Sequence, residues 1–104
     1  MAGVLDGIKV LDLSRGISGP MATMLLVDHG ADVVRIEAPG DDPFREQVGY
    51  KAWNRGKRSA VLDLKDTKDL ETFRSLAAGA DVLVESFSPG VTERLGIDYE
   101  RLSA

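Results

Sequence analysis

The chain has 104 residues, 43% hydrophobic and 29% charged, which describes one small globular domain and excludes disordered and fibrous classes. Its formal net charge of −4 argues against general nucleic-acid binding, which favours a basic surface. No apolar run approaches the ~20 residues that span a bilayer, and the N-terminal MAGVLDGIKV lacks the charged start and long apolar stretch of a secretory signal. With no cysteine there is no disulfide framework and no thiolate chemistry, and a cytoplasmic setting is expected.

Taken in chain order, IKVLDL (8–13) mixes apolar and β-branched residues over a strand's length and ends at the polar, glycine-containing turn 14–19. Pro20 has the fixed φ suited to a first helical position, which makes Gly19 the expected N-cap of a helix. Met21, Met24 and Leu25 are the expected core contacts of that helix, and Gly30 ends it with His29 in the last turn. DVVRIE (32–37) is a second strand, and APGDDP (38–43) is a loop by composition. Residues 44–57 form an irregular or short helical excursion.

SAVLDL (59–64) is a third strand. Asp66 then caps a helix with Asp69 in its first turn, a buried face of Leu70, Phe73, Leu76 and Ala77, and Gly79 at its end. ADVLVES (80–86) is a fourth strand whose apolar middle suggests cover on both faces. FSPG leads to a short helix around Val91–Leu95, and Asp98 starts another, YERLSA. Strand–helix–strand repeats with short connections define an α/β fold with a parallel sheet and right-handed crossovers. In the doubly wound order third-second-first-fourth, the ends of the first and fourth strands flank one crevice. Open α/β sheets bind ligands there.

The turn SRGISGP opens into that crevice. Gly16 and Gly19 allow close backbone approach, and the following helix start offers unpaired N–H groups to an anion. The alternative is a simple chain reversal with convenient glycines, and the turn lacks a G-x-G-x-x-G fingerprint. Glu37 ends the second strand at the position where nucleotide-binding folds place a ribose-binding acid, which supports an NAD-type module; a solvated strand-end glutamate is the plain alternative. Residues 45–65 carry Arg45, Lys51, Arg55, Lys57, Arg58 and Lys65 against Glu46 and Asp63 on an otherwise acidic chain. The cluster Arg55, Lys57 and Arg58 suits several phosphates on one ligand, or else forms a solvated face. Trp53 beside it is a base-stacking surface or a core residue.

At the other strand end, Phe87 is a stacking surface or a cover for the sheet end, and Arg94 an anion ligand or a surface partner of Glu93 or Asp98. His29 reads as structural. No Ser/His/Asp order, metal-ligand cluster or G-x-S-x-G elbow is present, so neither a catalytic residue nor a metal site is expected within the chain.

Four segments together, LDGIKVLDLSRGISGP, LLVDHGADVVRIEAPGDDP, NRGKRSAVLDLK and ADVLVESFSPGVTERLGIDYERL, resemble the N-terminal part of the family III CoA-transferases in order and spacing. That family includes formyl-CoA transferases, carnitine-related CoA-transferases and α-methylacyl-CoA racemases. The resemblance implies a Rossmann-like segment over residues 1–104, coenzyme A bound at the sheet crevice, and interlocked homodimers. It also implies that Arg15, Gly16, Ile17 and Ser18 line the CoA turn and that Leu62 and Lys65 approach the nucleotide. Ser86 and Phe87 would contact the cofactor, and Arg94 its phosphates. The family often has asparagine at Ser86, arginine at Ser88 and a basic residue near Ala38. In its formyl-CoA branch, histidine and glutamine replace Arg15 and Ile17, which argues against formyl/oxalate specificity here.

By the same resemblance, the transferase's aspartate nucleophile and the racemase's acid–base pair lie beyond residue 104, and the chain is a fragment that is inactive alone. The expected activity of the whole is transfer of CoA between an acyl-CoA and a carboxylic acid. The alternatives are racemisation of an acyl-CoA, an NAD-type module using Glu37, and a non-catalytic interaction domain.

Overall fold

Four strands alternate with five helices in a computed structural model that describes residues 3–40 and 45–103. In chain order they are β1 (Lys9–Asp12), α1 (Ser18–Asp28), β2 (Asp32–Glu37), α2 (Tyr50–Trp53), β3 (Arg58–Val61), α3 (Thr67–Ala78), β4 (Val82–Val84), α4 (Val91–Leu95) and α5 (Tyr99–Ser103). The strands form one sheet in the order β3-β2-β1-β4, all pairs parallel, as the sequence leads one to expect. Part of the expected loop 38–43, and the start of the excursion at residue 44, lie outside the described residues.

Alternation along the strands sorts the core into two layers. Leu11, Leu13 and Ile36 pack with Phe73 of α3 and Ile97 on one face, where Leu95 of α4 and Leu102 of α5 add partial cover. Val10, Val33 and Ala31 pack with Leu26 and Val27 of α1 on the other. Register aligns the layers: Leu11 sits opposite Val34 of β2 and Leu83 of β4. Asp12 lies opposite Arg35, so two polar side chains share the α1 face.

Two local readings hold closely. β2 has the expected bounds, and Asp66 caps α3 by accepting the Asp69 N–H at 3.1 Å. Others need correction. The helix α1 starts at Ser18 with Ile17 as N-cap, two residues before the expected start. Pro20 therefore stands third in the helix. It is tolerated there because every N–H of the first turn lacks an intrahelical acceptor, so the missing donor costs nothing.

The inward residues of α1 are Pro20 and Thr23, whereas Met21 and Leu25 are 43% and 54% exposed. This half of the helix covers polar groups at the end of β1. β4 is shorter than expected and Val82 is 40% exposed, because β4 forms an edge of the sheet and lacks a neighbour on its far side among the described residues. Leu76 of α3 is likewise 38% exposed, so the buried face of that helix centres on Phe73.

Candidate functional site

The carboxyl ends of the strands gather the residues singled out in the sequence. After β1 the chain turns through Ser14–Ile17, with Gly16 at φ +82°, a left-handed conformation that suits glycine. The turn folds back closely on α1. A Cβ at Gly19 would lie 2.3 Å from the Ser14 Cβ, so only glycine fits there.

Beneath the turn, Asp12 is fully buried and its carboxylate organises the chain around it. Oδ1 accepts the Ser14 N–H at 2.9 Å and also the Ser14 hydroxyl. Oδ2 accepts the Thr23 hydroxyl at 2.6 Å and the Lys57 ammonium at 3.1 Å. Lys57 Nζ donates in addition to the Pro20 carbonyl at 3.0 Å and Asn54 Oδ1 at 3.1 Å, which engages all three of its protons. Burial pushes the Lys57 ammonium below its ordinary value; the Asp12 charge and hydrogen bond oppose this, and the Arg35 charge adds to it.

Across the turn, the Arg15 N–H donates to Ser86 Oγ at 3.0 Å, a bond that joins the segments following β1 and β4. Phe87 packs its ring partly against the Leu11–Phe73 core, and its N–H is held by the Glu85 carboxylate at 2.8 Å. Leu62 continues β3, donating its N–H to the Glu37 carbonyl at 2.9 Å while its side chain joins the same core. Ile17, Ser18, Lys65 and Arg94 are exposed. The Arg94 guanidinium has no ion-pair or hydrogen-bond partner among the described residues, and Asp98, its expected alternative partner, pairs with Arg101 at 2.7 Å. The structure thus brings Arg15 and Ser86 into contact. It connects neither Lys65 nor Arg94 to them by a side-chain contact.

A small cleft of about 100 Å³ opens beside Arg15, lined also by Arg35, Glu37, Gly40, Arg45 and Val61. Glu37 Oε1 accepts from Arg35 at 2.7 Å, the Tyr50 hydroxyl at 3.3 Å and Arg45 at 3.4 Å. The guanidinium of Arg35 lies 5.2 Å from the centre of the Tyr50 ring and that of Arg45 lies 5.6 Å from it, within cation–π range. Among the described residues, three arginines and one carboxylate line the cleft. Oε1 of Glu37, the acid that an NAD-type reading would use for a ribose, is thus engaged by Arg35, Tyr50 and Arg45.

The basic stretch does not form one phosphate site. Arg55 pairs with Asp28 at 2.6 Å, Arg58 with Asp32 at 2.7 Å, Lys57 with Asp12 and Arg45 with Glu37. Each of these four cations finds its own acid from α1, β1 or β2, and the chain turns at Gly56, φ +74°. Trp53 is a packing residue: its ring lies over Gly49, where a Cβ would come within 1.8 Å. His29 accepts a structural role, with Nδ1 2.7 Å from the Leu25 carbonyl oxygen.

Arg35, Tyr50 and Asp12 were not among the expected site residues, and Lys57 was expected with Arg55 and Arg58 at phosphates rather than buried against Asp12. Asp12 and Arg35 were detectable as charged residues at alternating positions inside apolar strands, which places them on a covered face. Among the described residues there is no group of three or more His, Cys, Asp or Glu that could hold a metal ion, and no helix long and apolar enough to cross a membrane.

This is an α/β protein of the doubly wound kind, with its polar, cation-rich turns at the carboxyl ends of a parallel sheet. Residues 5–104 match the CoA-transferase family III profile, and the chain belongs to that family. It is 45% identical to succinyl-CoA:mesaconate CoA-transferase of Haloarcula hispanica over 96% of its length, covering 28% of that protein. It is 38% identical to formyl-CoA:oxalate CoA-transferase of Afipia carboxidovorans over 98% of its length, covering 26% of it. Among solved structures it superimposes on Rv3272 from Mycobacterium tuberculosis with a TM-score of 0.93 and 39% identity, covering 97% of this chain and 30% of that one. The chain therefore spans a little over a quarter of the length of these curated relatives.

Proposed function

We propose that this chain supplies the nucleotide end of a coenzyme A site in a protein that moves CoA between an acyl-CoA and a carboxylic acid. The observation that carries the reading is the Arg15 N–H to Ser86 Oγ bond. It ties together two turns that lie at the ends of neighbouring parallel strands, the place where such sheets take anionic ligands. Gly16, Ile17 and Ser18 offer backbone N–H groups, and Arg15 its guanidinium, to the pyrophosphate, while the Arg15 N–H holds Ser86. Leu62 and Lys65 border the nucleotide, and Ser86 and Phe87 flank the chain of the cofactor. Arg94, delivered by the turn after β4 and without a protein partner among the described residues, takes a phosphate.

In the transfer reaction a carboxylate attacks the thioester carbonyl, which requires a nucleophile and stabilisation of the oxyanion. We assign those groups to parts of the protein outside residues 1–104, so this segment contributes binding and orientation. Cytoplasmic, homodimeric assembly completes the reading. The identity of the acyl group is left to those other parts, and the related racemase chemistry would use this same CoA-binding segment.

Calorimetric titration of the protein with CoA and, separately, with NAD tests the reading. CoA is expected to bind and NAD to bind at least tenfold more weakly. Equal or tighter NAD binding overturns it in favour of a nucleotide module.

A further inference from the structure

Lys57 and Asp12 form a buried, multiply hydrogen-bonded pair, and the ligand reading above makes no use of it. Lys57 and Asp12 side chains are 1% and 0% exposed and 45 residues apart in sequence. Their contacts converge on one small region. Asp12 holds Ser14, the first residue of the turn, and Thr23 of α1. Lys57 holds the Pro20 carbonyl in the first turn of α1 and the Asn54 side chain just after α2.

An ion pair is a costly way to fill such a space. Well-packed apolar residues of similar volume are commonly as stabilising or more so, because two charges must be stripped of water. What the pair supplies is direction, since each proton and lone pair fixes one neighbour. Three of the groups it fixes (the Ser14 N–H, the Ser14 hydroxyl and the Pro20 carbonyl) bracket the turn at both ends. Gly19 against Ser14 leaves the turn no slack. Arg15, the next residue, donates its N–H to Ser86 across the crevice.

We propose that Lys57, through its buried pair with Asp12, is a positioning residue for the turn between β1 and α1, holding its backbone N–H groups in line with the crevice. The inference rests on the CoA-site reading for its purpose, but the positioning itself does not require a ligand. A phosphate-rich ligand needs several N–H groups aimed at once, and a turn free to shift would spread them.

The test pairs Asp12→Asn/Lys57→Met, which leaves no buried charge unmatched, with the singles. The double variant is expected to be more stable to urea than either single variant, yet its Arg15 amide, which is bonded to Ser86 in the wild type, should exchange with deuterium at least tenfold faster than in the wild type, with those of β2 unchanged. CoA affinity should fall at least tenfold with it. Wild-type exchange at Arg15 in the double variant overturns the proposal. Thr23→Val, which removes one partner of Asp12 without disturbing the charges, decides the matter if the double variant fails to fold: turn exchange about threefold faster supports positioning, and unchanged exchange overturns it. Absence of CoA binding by the wild type would contradict the CoA reading alone, leaving the exchange result to judge the turn.

Discussion

The two faces of the sheet solve different problems. The face under α3 is apolar at its centre, with Leu11, Leu13, Ile36, Phe73 and Ile97 in one cluster, and carries the exposed Arg58–Asp32 ion pair at the amino ends of β2 and β3. The face under α1 starts in the same way with Val10 and Val33, then changes at the carboxyl ends of the strands to Asp12, Arg35 and their partners Lys57, Thr23, Glu37 and Tyr50. Apolar burial is non-directional and tolerates small shifts, whereas charged hydrogen bonds demand particular positions. The difference teaches that stability is concentrated on one face and geometric definition on the other, close to the crevice.

The largest effect should come from the apolar face. Phe73 is fully buried, and Phe73→Ala is expected to cost ~3–5 kcal/mol in urea unfolding. That is a large share of the ~5–15 kcal/mol that holds a domain together. The folded fraction should still bind CoA with unchanged affinity, and a parallel fall in intrinsic affinity would break the division between the faces.

A smaller effect sharpens the charged face. The ordinary lysine value is 10.5, and burial holds Lys57 below it. Between that lowered value and 10.5 the unfolded chain binds more protons at this residue than the folded one. The contribution of Lys57 to stability therefore rises with pH through this window and is least favourable below it. NMR titration should show Lys57 losing its proton below 10.5, and urea unfolding should show an alkaline rise that Lys57→Arg lacks. Titration of Lys57 at or above 10.5 would mean that Asp12 and its hydrogen bonds outweigh the burial.

Local signals were readable in the sequence where cause and effect lie close together. The Asp66 cap and its Asp69 partner are three residues apart, and β2 is bounded by a glycine before it and a proline-containing loop after it. Short connections implied a parallel sheet, and its order is the one the doubly wound pattern takes. The start of α1 was less legible, because proline is acceptable anywhere in a first helical turn. Its inner face was illegible for a different reason: Thr23 is buried by a carboxylate on β1 and a lysine from beyond α2, partners no local pattern reveals. The same holds for Arg55 and Arg58, which read as a phosphate cluster until their acids, Asp28 and Asp32, are seen. Of the candidate site, the meeting of Arg15 and Ser86 was foreseeable from strand order and the family resemblance. The Arg35–Tyr50–Arg45 cluster around Glu37 arises only when the strand end and α2 come together.

The central claim is that the turn after β1 and Arg94 hold the phosphates of CoA, and amide chemical-shift mapping during a CoA titration, in the wild type and in Arg94→Ala, tests it most directly. The account predicts shifts concentrated at Arg15, Gly16, Ile17, Ser18, Ser86 and Phe87. Loss of one charged arginine–phosphate contact, ~1.5–3 kcal/mol, should weaken binding roughly ten- to a hundredfold in Arg94→Ala without altering the spectrum of the free protein. Shifts confined to other surfaces, or wild-type affinity in Arg94→Ala, would contradict it.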